Sequence, residues 1–518
     1  MIEELRDPKR YPHPADRVEV LETHISWVLL AGDYAYKVKK PVNLGFLDFS
    51  TLEARRFYCD EELRLNRRTA PRLYLEVVPI TGSESAPQLG GTGEAIEYAV
   101  KMHRFPQEAL LSRMAQDGAL GEAHIDALAQ VVAAFHARIA RADQARAHGS
   151  PAEVLAPAMQ NVDQIESFIG PGAEVPELEQ LRRWTRDEHA RLEPTFEARK
   201  REGYVRECHG DLHLGNIALI DGEPTPFDGI EFNEALRWID VMNEVAFLVM
   251  DLLDRRLPRL AYRFLNAYLE ATGDYAGLAV LRFYLVYRAL VRAKVACIRA
   301  HQQGLAAEDR GRAGREYLEY LRLAYSLALA SRRALIVMHG FSGSGKTTIA
   351  QYLLEACGAV RIRSDIERKR LLGLEARART GSALGGGIYA ARLTAHTYEQ
   401  LATLARAILA AGYPAIVDAT FLAHAQRAAF AALARDMGLP FAIAACEAPE
   451  AVLRDRVGRR EREAKDASEA GLSVLEHQLA AREPLSDAER RDCITFDSRR
   501  EPREAASALA RKLGLPLS

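Results

Sequence analysis

CHGDLHLGNIALIDGEPTPFDGIEF, residues 208–232, sets Asp211 five residues before Asn216, with Asp228 twelve residues further on. An aspartate beside an acceptor hydroxyl can take its proton. An asparagine and a second aspartate can hold Mg²⁺ against phosphate oxygens. The intervening chain must then turn and come back as a short strand. It reads that way: Ile217–Ile220 is strand-like, Asp221-Gly222 is a turn, and Pro226-Phe227 leads into Asp228. A plain His-Gly-Asp turn would explain three of these residues, but not their joint spacing with Phe227-Asp228-Gly229.

Upstream, Ile25–Leu30 reads as a strand, Ala31-Gly32-Asp33 as a turn and Tyr34–Lys39 as a second strand. Alternation puts Ala35, Lys37 and Lys39 on one face. A lysine on such a strand can reach the α/β-phosphates of a nucleotide: Lys37 is expected in that role, with Lys39 the alternative. An edge strand with solvated lysines is the plainer reading. No G-x-G-x-x-G precedes it, so any phosphate-covering hairpin must be built differently. Thr51–Arg68 is helical in pattern, with Leu52, Arg56, Cys59, Leu63 and Asn66 at three- and four-residue steps. Its Glu62 is expected to pair with the lysine. Glu61 is the spare, since adjacent acids cannot share one helix face. Leu73–Pro79 and Ile96–Met102 supply two more strands, and residues 109–201 are mostly helical.

These blocks, His209–Asn216, Phe227–Glu231, the lysine and the glutamate, resemble the aminoglycoside and choline phosphotransferase branch of the kinase-like superfamily, over roughly residues 20–330. The resemblance implies a bilobal protein-kinase-like fold with a small lobe at about 1–105 and a helical large lobe at about 106–330. It implies Asp211 as catalytic base, Asn216 and Asp228 as Mg²⁺ ligands, and Asp240 as an acid behind the site. In the helix expected over Arg282–Gln302, Arg288 and Arg292 stand one turn apart, with Arg299 two turns on. Arginine pairs suit carboxylate or phosphate, which points the acceptor towards a neutral or anionic small molecule rather than a polycationic antibiotic. Pairing with Asp251, Asp254 or other structural acids is the alternative.

A second centre begins where Leu335–Met338, a buried-type strand, runs into HGFSGSGKTT. Gly340–Thr347 is a complete G-x-x-x-x-G-K-[ST] loop followed by an expected helix over Thr348–Cys357. Its backbone, with Gly340, Ser342, Gly343, Ser344, Gly345 and Thr348, would cradle phosphates; Lys346 would reach the β/γ oxygens and Thr347 would ligate Mg²⁺. Ala415–Asp418 is the partner strand, with Asp418 as the second Mg²⁺ carboxylate. Between them, Asp365 suits a base for an acceptor hydroxyl, and Arg368, one turn on, suits the acceptor or the phosphoryl group. Arg456 and Arg460 stand at helical spacing and suit a lid over the nucleotide. A solvated charged helix is their alternative reading. The S-D-x-x-R and D-A-T pieces and the terminal strand Ile494–Asp497 resemble the small P-loop kinases that include gluconate kinase, polynucleotide 5′-kinases and zeta-toxin-like enzymes. This implies a parallel sheet with helices on both faces across about 334–518.

At 518 residues the chain should hold two to four domains; the two resemblances imply a division into 1–330 and 334–518, of mixed α/β and α+β class. Lys+Arg 69 against Asp+Glu 71 leaves a net charge of −2, which gives no global attraction to nucleic acid or membrane. Residues 334–518 hold 26 Lys+Arg against 22 Asp+Glu, with no basic stripe, so a polynucleotide substrate is disfavoured. Six scattered cysteines (59, 208, 297, 357, 446, 493) suggest reduced thiols and a cytoplasmic protein, and no apolar run spans a membrane. The expectation is transfer of phosphate from ATP (or GTP) with Mg²⁺ to the hydroxyl of a sugar-like or anionic small molecule, at two sites. The alternatives are that one half is a nucleotide-binding regulatory module, or that the C-terminal half is a polynucleotide 5′-hydroxyl kinase. Oligomeric state is not legible.

Overall fold

The computed structural model describes residues 1–518 other than 46, 170–174, 303, 330–332, 376–390, 464–469, 498–500, 516 and 518. The chain forms two compact units, Met1–Gln164 with His189–Asp251, and Ile165–Glu188 with Leu252–Ser518.

The first unit carries β1 (Val18–Glu22), β2 (Ser26–Ala31), β3 (Tyr34–Lys39), β4 (Tyr74–Ser83), β5 (Ala86–Leu89) and β6 (Ala95–His103) in one antiparallel sheet of order β1-β2-β3-β6-β4-β5. The two-residue period separates its faces. Leu29, Ala31, Tyr36, Val38 and Ile80 pack in one apolar cluster, while Leu30, Ala35, Val100 and Met102 pack in another with Cys59 of the helix Leu52–Asn66. That helix opens on Thr51, whose hydroxyl accepts the Ala54 N–H at 3.1 Å. β1 was not anticipated from sequence: it is an edge strand in which only Val18 and Val20 are half-buried, against one of these clusters, so its alternation is too short to stand out. It forms the hairpin with β2 through Thr23–Ile25, a turn without glycine, closed by the Thr23 N–H on the Ser26 carbonyl at 2.9 Å. Two further antiparallel pairs follow: β7 (Val205–Glu207) with β10 (Trp238–Asp240), and β8 (Ile217–Ile220) with β9 (Glu223–Pro226).

The second unit holds a parallel sheet of β11 (Leu335–His339), β12 (Val360–Arg363), β13 (Ala415–Asp418), β14 (Phe441–Glu447) and β15 (Cys493–Asp497), in the order β12-β13-β11-β14-β15. β11 and β13 are buried at every residue, as strands covered on both faces must be. The helices Lys346–Cys357 and Pro502–Lys512 share one apolar cluster with β11 and β14. The helices Pro258–Thr272, Leu278–Ala300 and Ala307–Leu329 also belong to this unit. Among the described residues no helix is long and apolar enough to cross a membrane.

Candidate active sites

In the first unit, Asn216 Nδ2 donates to Asp211 Oδ2 at 2.9 Å and to the Asp211 carbonyl at 3.0 Å. His213 Nε2 stands 3.5 Å from the same carboxylate oxygen. The β8–β9 hairpin brings the chain back, and the Phe227 N–H donates to the Asn216 carbonyl at 2.9 Å, which sets Asp228 beside the loop. Asp228 has φ 61°, a left-handed conformation that costs a non-glycine residue on the order of 1 kcal/mol or more. Its surroundings impose it: the Asp228 N–H donates to Tyr74 Oη at 3.1 Å, the Gly229 N–H to Asn66 Oδ1 at 2.8 Å, and His209 Nε2 to the Phe227 carbonyl at 2.8 Å.

The HGDLHLGN loop rests on two acids, Glu244, which sequence reasoning did not single out, and Asp251, which it named only as a partner for the arginines of 282–302. The Gly210 N–H donates to Glu244 Oε1 at 2.7 Å, and Glu244 Oε2 meets His136 Nε2 at 2.8 Å. The Leu214 N–H donates to Asp251 Oδ2 at 2.9 Å. Gly210 has φ 87°, and a Cβ there would meet the Leu236 carbonyl at 2.8 Å. Glu244 and Asp251 lie two turns apart in the apolar helix Val241–Asp254. Buried acids in such a run need partners, and that was the available signal.

Lys37 and Lys39 are both buried, and one carboxylate serves both. Lys37 Nζ lies 2.9 Å from Glu62 Oε1 and 2.5 Å from Asp228 Oδ1; Lys39 Nζ lies 2.7 Å from Glu62 Oε2 and also pairs with Glu231. Burial alone would depress the Lys37 ammonium, but Asp228 and Glu62 hold it well above the ordinary lysine value. Burial alone would raise the Glu62 carboxyl, but Lys37 and Lys39 hold it down to about 2. The spare acid, Glu61, faces away to Arg64 at 2.6 Å and Arg237 at 3.1 Å. Asp240 is held by Arg199 through both carboxylate oxygens, at 2.6 and 2.8 Å, and caps the Met242 N–H at 2.8 Å.

In the second unit, Gly340 follows β11 with φ 141°, and a Cβ there would meet the Cys446 carbonyl at 2.5 Å. The Ser342 N–H donates to Gln478 Oε1 at 2.8 Å, and Lys346 Nζ donates to the Phe341 carbonyl at 2.8 Å. Burial pushes the Lys346 ammonium down, against Asp418 and Asp365, which favour its charge. Gly343 and Gly345 take φ 81° and 89°; Thr347 is half-buried and Thr348 exposed. The parallel register pairs Arg363 with Asp418, so Ser364-Asp365 leaves the sheet at the same carboxyl end as the Gly340–Thr347 loop. Asp418 Oδ2 and Ser344 Oγ are buried with no hydrogen-bond partner among the described residues. A buried carboxylate oxygen without a donor fits a cation ligand.

Arg368 is buried in the helix Ser364–Leu371. Arg456 Nη1 donates to the Gly343 carbonyl at 3.2 Å, whereas Arg460 Nη2 donates to the Ala470 carbonyl at 2.8 Å. Tyr398, which the sequence did not single out, accepts the Phe421 N–H at 3.2 Å and lies 3.5 Å from Thr420 Oγ1. Arg292 Nε donates to Tyr320 Oη at 3.4 Å and its guanidinium lies 5.5 Å from that ring centre, while Arg288 is buried.

The two folds, with the family matches they carry, define a chain of the kinase class. A model of the family described as "Phosphotransferase enzyme family" matches residues 58–284, and one described as "AAA domain" matches residues 335–485. Uncharacterized proteins of Mycobacterium tuberculosis and Mycobacterium bovis are 31% identical over 466 residues, 90% of this chain and 90% of theirs. The chain belongs to the family of these proteins, and along it the phosphotransferase match precedes the AAA-domain match. Similar solved structures include an amicoumacin kinase in complex with AMP-PNP, Ca²⁺ and Ami (14% identity, 60% of this chain and 90% of that one, TM-score 0.38). Others are a Plasmodium vivax ethanolamine kinase (10%, 58% and 81%, 0.37) and a sugar kinase from Janibacter sp. HTCC2649 (21%, 36% and 95%, 0.26).

Proposed function

We propose that both units transfer the γ-phosphoryl group of ATP (or GTP) to a hydroxyl of a small molecule, sugar-like or anionic, with Mg²⁺ at each site. The observation that carries this for the first unit is the joint placement of Asp211, Asn216 and Asp228 with the Lys37–Glu62 pair. For the second it is the phosphate loop beside Asp418, whose buried Oδ2 has no donor among the described residues. At each site the acceptor oxygen attacks the γ-phosphorus and the bond to the bridging oxygen breaks. The nucleoside diphosphate leaves, and the acceptor proton passes to Asp211 or to Asp365. Lys37 and Lys346 orient the phosphates, and Arg368, Arg456 and Arg460 neutralise charge on them. Bound Mg²⁺ would supply charge neutralisation, held by Asn216 and Asp228 in one unit and by Thr347 and Asp418 in the other. Arg288 and Arg292 remain candidates for acceptor binding. In sequence the kinase-like part is taken to end near 330 and the P-loop part to run from 334. Six free cysteines, five of them buried, fit a cytoplasmic protein.

The test is a mass-spectrometric screen of a metabolite extract with ATP and Mg²⁺, run with the wild type, Asp211→Ala and Asp365→Ala. Each variant should lose one phosphorylated product class. Products that survive both substitutions would refute the assignment. The glycine-free Thr23–Ile25 turn favours a second reading, in which the first unit binds nucleotide and regulates. Asp211→Ala would then leave every phosphorylated product in place.

A further inference from the structure

We propose that Glu270, together with Asn266, is a positioning residue for the second kinase site: a clamp on the helix Pro258–Thr272 that sets Asp365 against the phosphate loop. The proposal rests on the reading of Asp365 as the acceptor's base. β12 is an edge strand of the parallel sheet, and its outer side needs partners for its backbone groups. Asn266 supplies them: its Oδ1 accepts the Arg361 N–H at 2.8 Å and its Nδ2 donates to the Ala359 carbonyl at 3.1 Å, as a neighbouring strand would.

One turn on, Glu270 holds the chain on both sides of Asp365. Its carboxylate takes Arg361 Nη2 at 3.1 Å and Arg363 Nη1 at 3.4 Å, ahead of Asp365; its carbonyl accepts Arg370 Nη2 at 2.6 Å, behind it. Arg361 also donates through Nη1 to the carbonyl of Thr347, in the phosphate loop, at 3.4 Å. The same helix reaches the helix after that loop, with Arg259 and Arg263 on Glu355 at 2.9 and 2.8 Å. One rigid element therefore fixes the strand that delivers Asp365 and the helix that delivers Lys346 and Thr347. Residues 258–272 fall inside the stretch matched by the phosphotransferase family, so sequence from that part completes the P-loop kinase.

The test uses the full-length Asp211→Ala protein, in which only the second site transfers phosphate, with ATP, Mg²⁺ and a metabolite extract. Glu270→Ala should lower turnover on the order of 10²-fold, the effect of a misplaced reacting group, and leave AMP-PNP binding unchanged. Added to Asp365→Ala it should cause no further loss, and Glu270→Gln, which keeps an acceptor oxygen, should fall between. Amide exchange should rise in residues 360–371 and not in β14. Losses that multiply in the double variant, AMP-PNP affinity that falls in step with turnover, or unchanged exchange in 360–371 would each overturn the clamp. Full turnover in Asp365→Ala with loss in Glu270→Ala would instead sink the reading of Asp365 as base.

Discussion

Lys37 Nζ lies 2.5 Å from Asp228 Oδ1, across 191 residues of sequence. The lysine expected to hold phosphate is thus placed against the carboxylate expected to hold the metal. Lys39 is the more deeply buried of the two lysines, enclosed by Glu62 and Glu231. One strand face therefore divides its partners: Lys37 joins Glu62 to Asp228, and Lys39 joins Glu62 to Glu231.

The two lysines should separate in experiment. Lys39→Met leaves Glu62 and Glu231 buried with less compensation, and should cost the first unit about 3–5 kcal/mol, the usual penalty for breaking a buried pair. Lys37→Met leaves Glu62 its pair with Lys39 and should cost less stability while lowering nucleotide affinity. Urea unfolding and nucleotide titration of both variants check this. Equal stability losses would contradict the division.

Asp240 should prove structural. Asp240→Ala leaves the Arg199 guanidinium buried without its bidentate partner, an expected loss of about 3–5 kcal/mol. The double variant Arg199→Met/Asp240→Leu should recover much of that loss, because no lone buried charge remains. Unfolding free energies of the three proteins decide it.

Gly340→Ala should abolish nucleotide binding at the second site, since the new methyl group collides with the Cys446 carbonyl and with Ser344 Oγ. Calorimetric titration with AMP-PNP and Mg²⁺ should then show one binding event where the wild type shows two.

His339, next to the phosphate loop, should give the second unit an acid-sensitive stability. Burial holds it neutral and lowers its pKa from 6.5 to about 4; its Nδ1 donates to the Phe421 carbonyl at 3.0 Å. The unfolded chain binds this proton near pH 6.5 and the folded unit only near pH 4. Stability is therefore intact above 6.5 and is lost as pH falls towards 4, by up to about 3 kcal/mol. Unfolding midpoints followed across that window should flatten in His339→Gln.

Both phosphate-handling motifs were legible as short-range patterns: HGDLHLGN with FDG, and GFSGSGKT between a strand and a helix. Local steric and hydrogen-bond demands confine such chemistry to few residue types at few spacings. The lysine strand and its partner helix were legible through their periods, and with them Glu62 over Glu61. β1 was missed because its alternation, Val18-Glu19-Val20, is short and lies in a mostly polar stretch, and Tyr398 because nothing local marks a tyrosine that meets the chain at Thr420 and Phe421.

The sequence by itself determined the class of each fold and the kinase class of the chain, and it singled out the residues expected to carry each reaction. Tertiary structure alone decided which lysine faces Asp228, that Glu244 and Asp251 hold the HGDLHLGN loop, and that Glu270 grips the chain around Asp365. Each of these depends on polar groups that meet in the fold although they lie far apart along the chain. Periodicity reports which face a residue occupies, but a buried ion pair is settled only when packing brings its partner within reach.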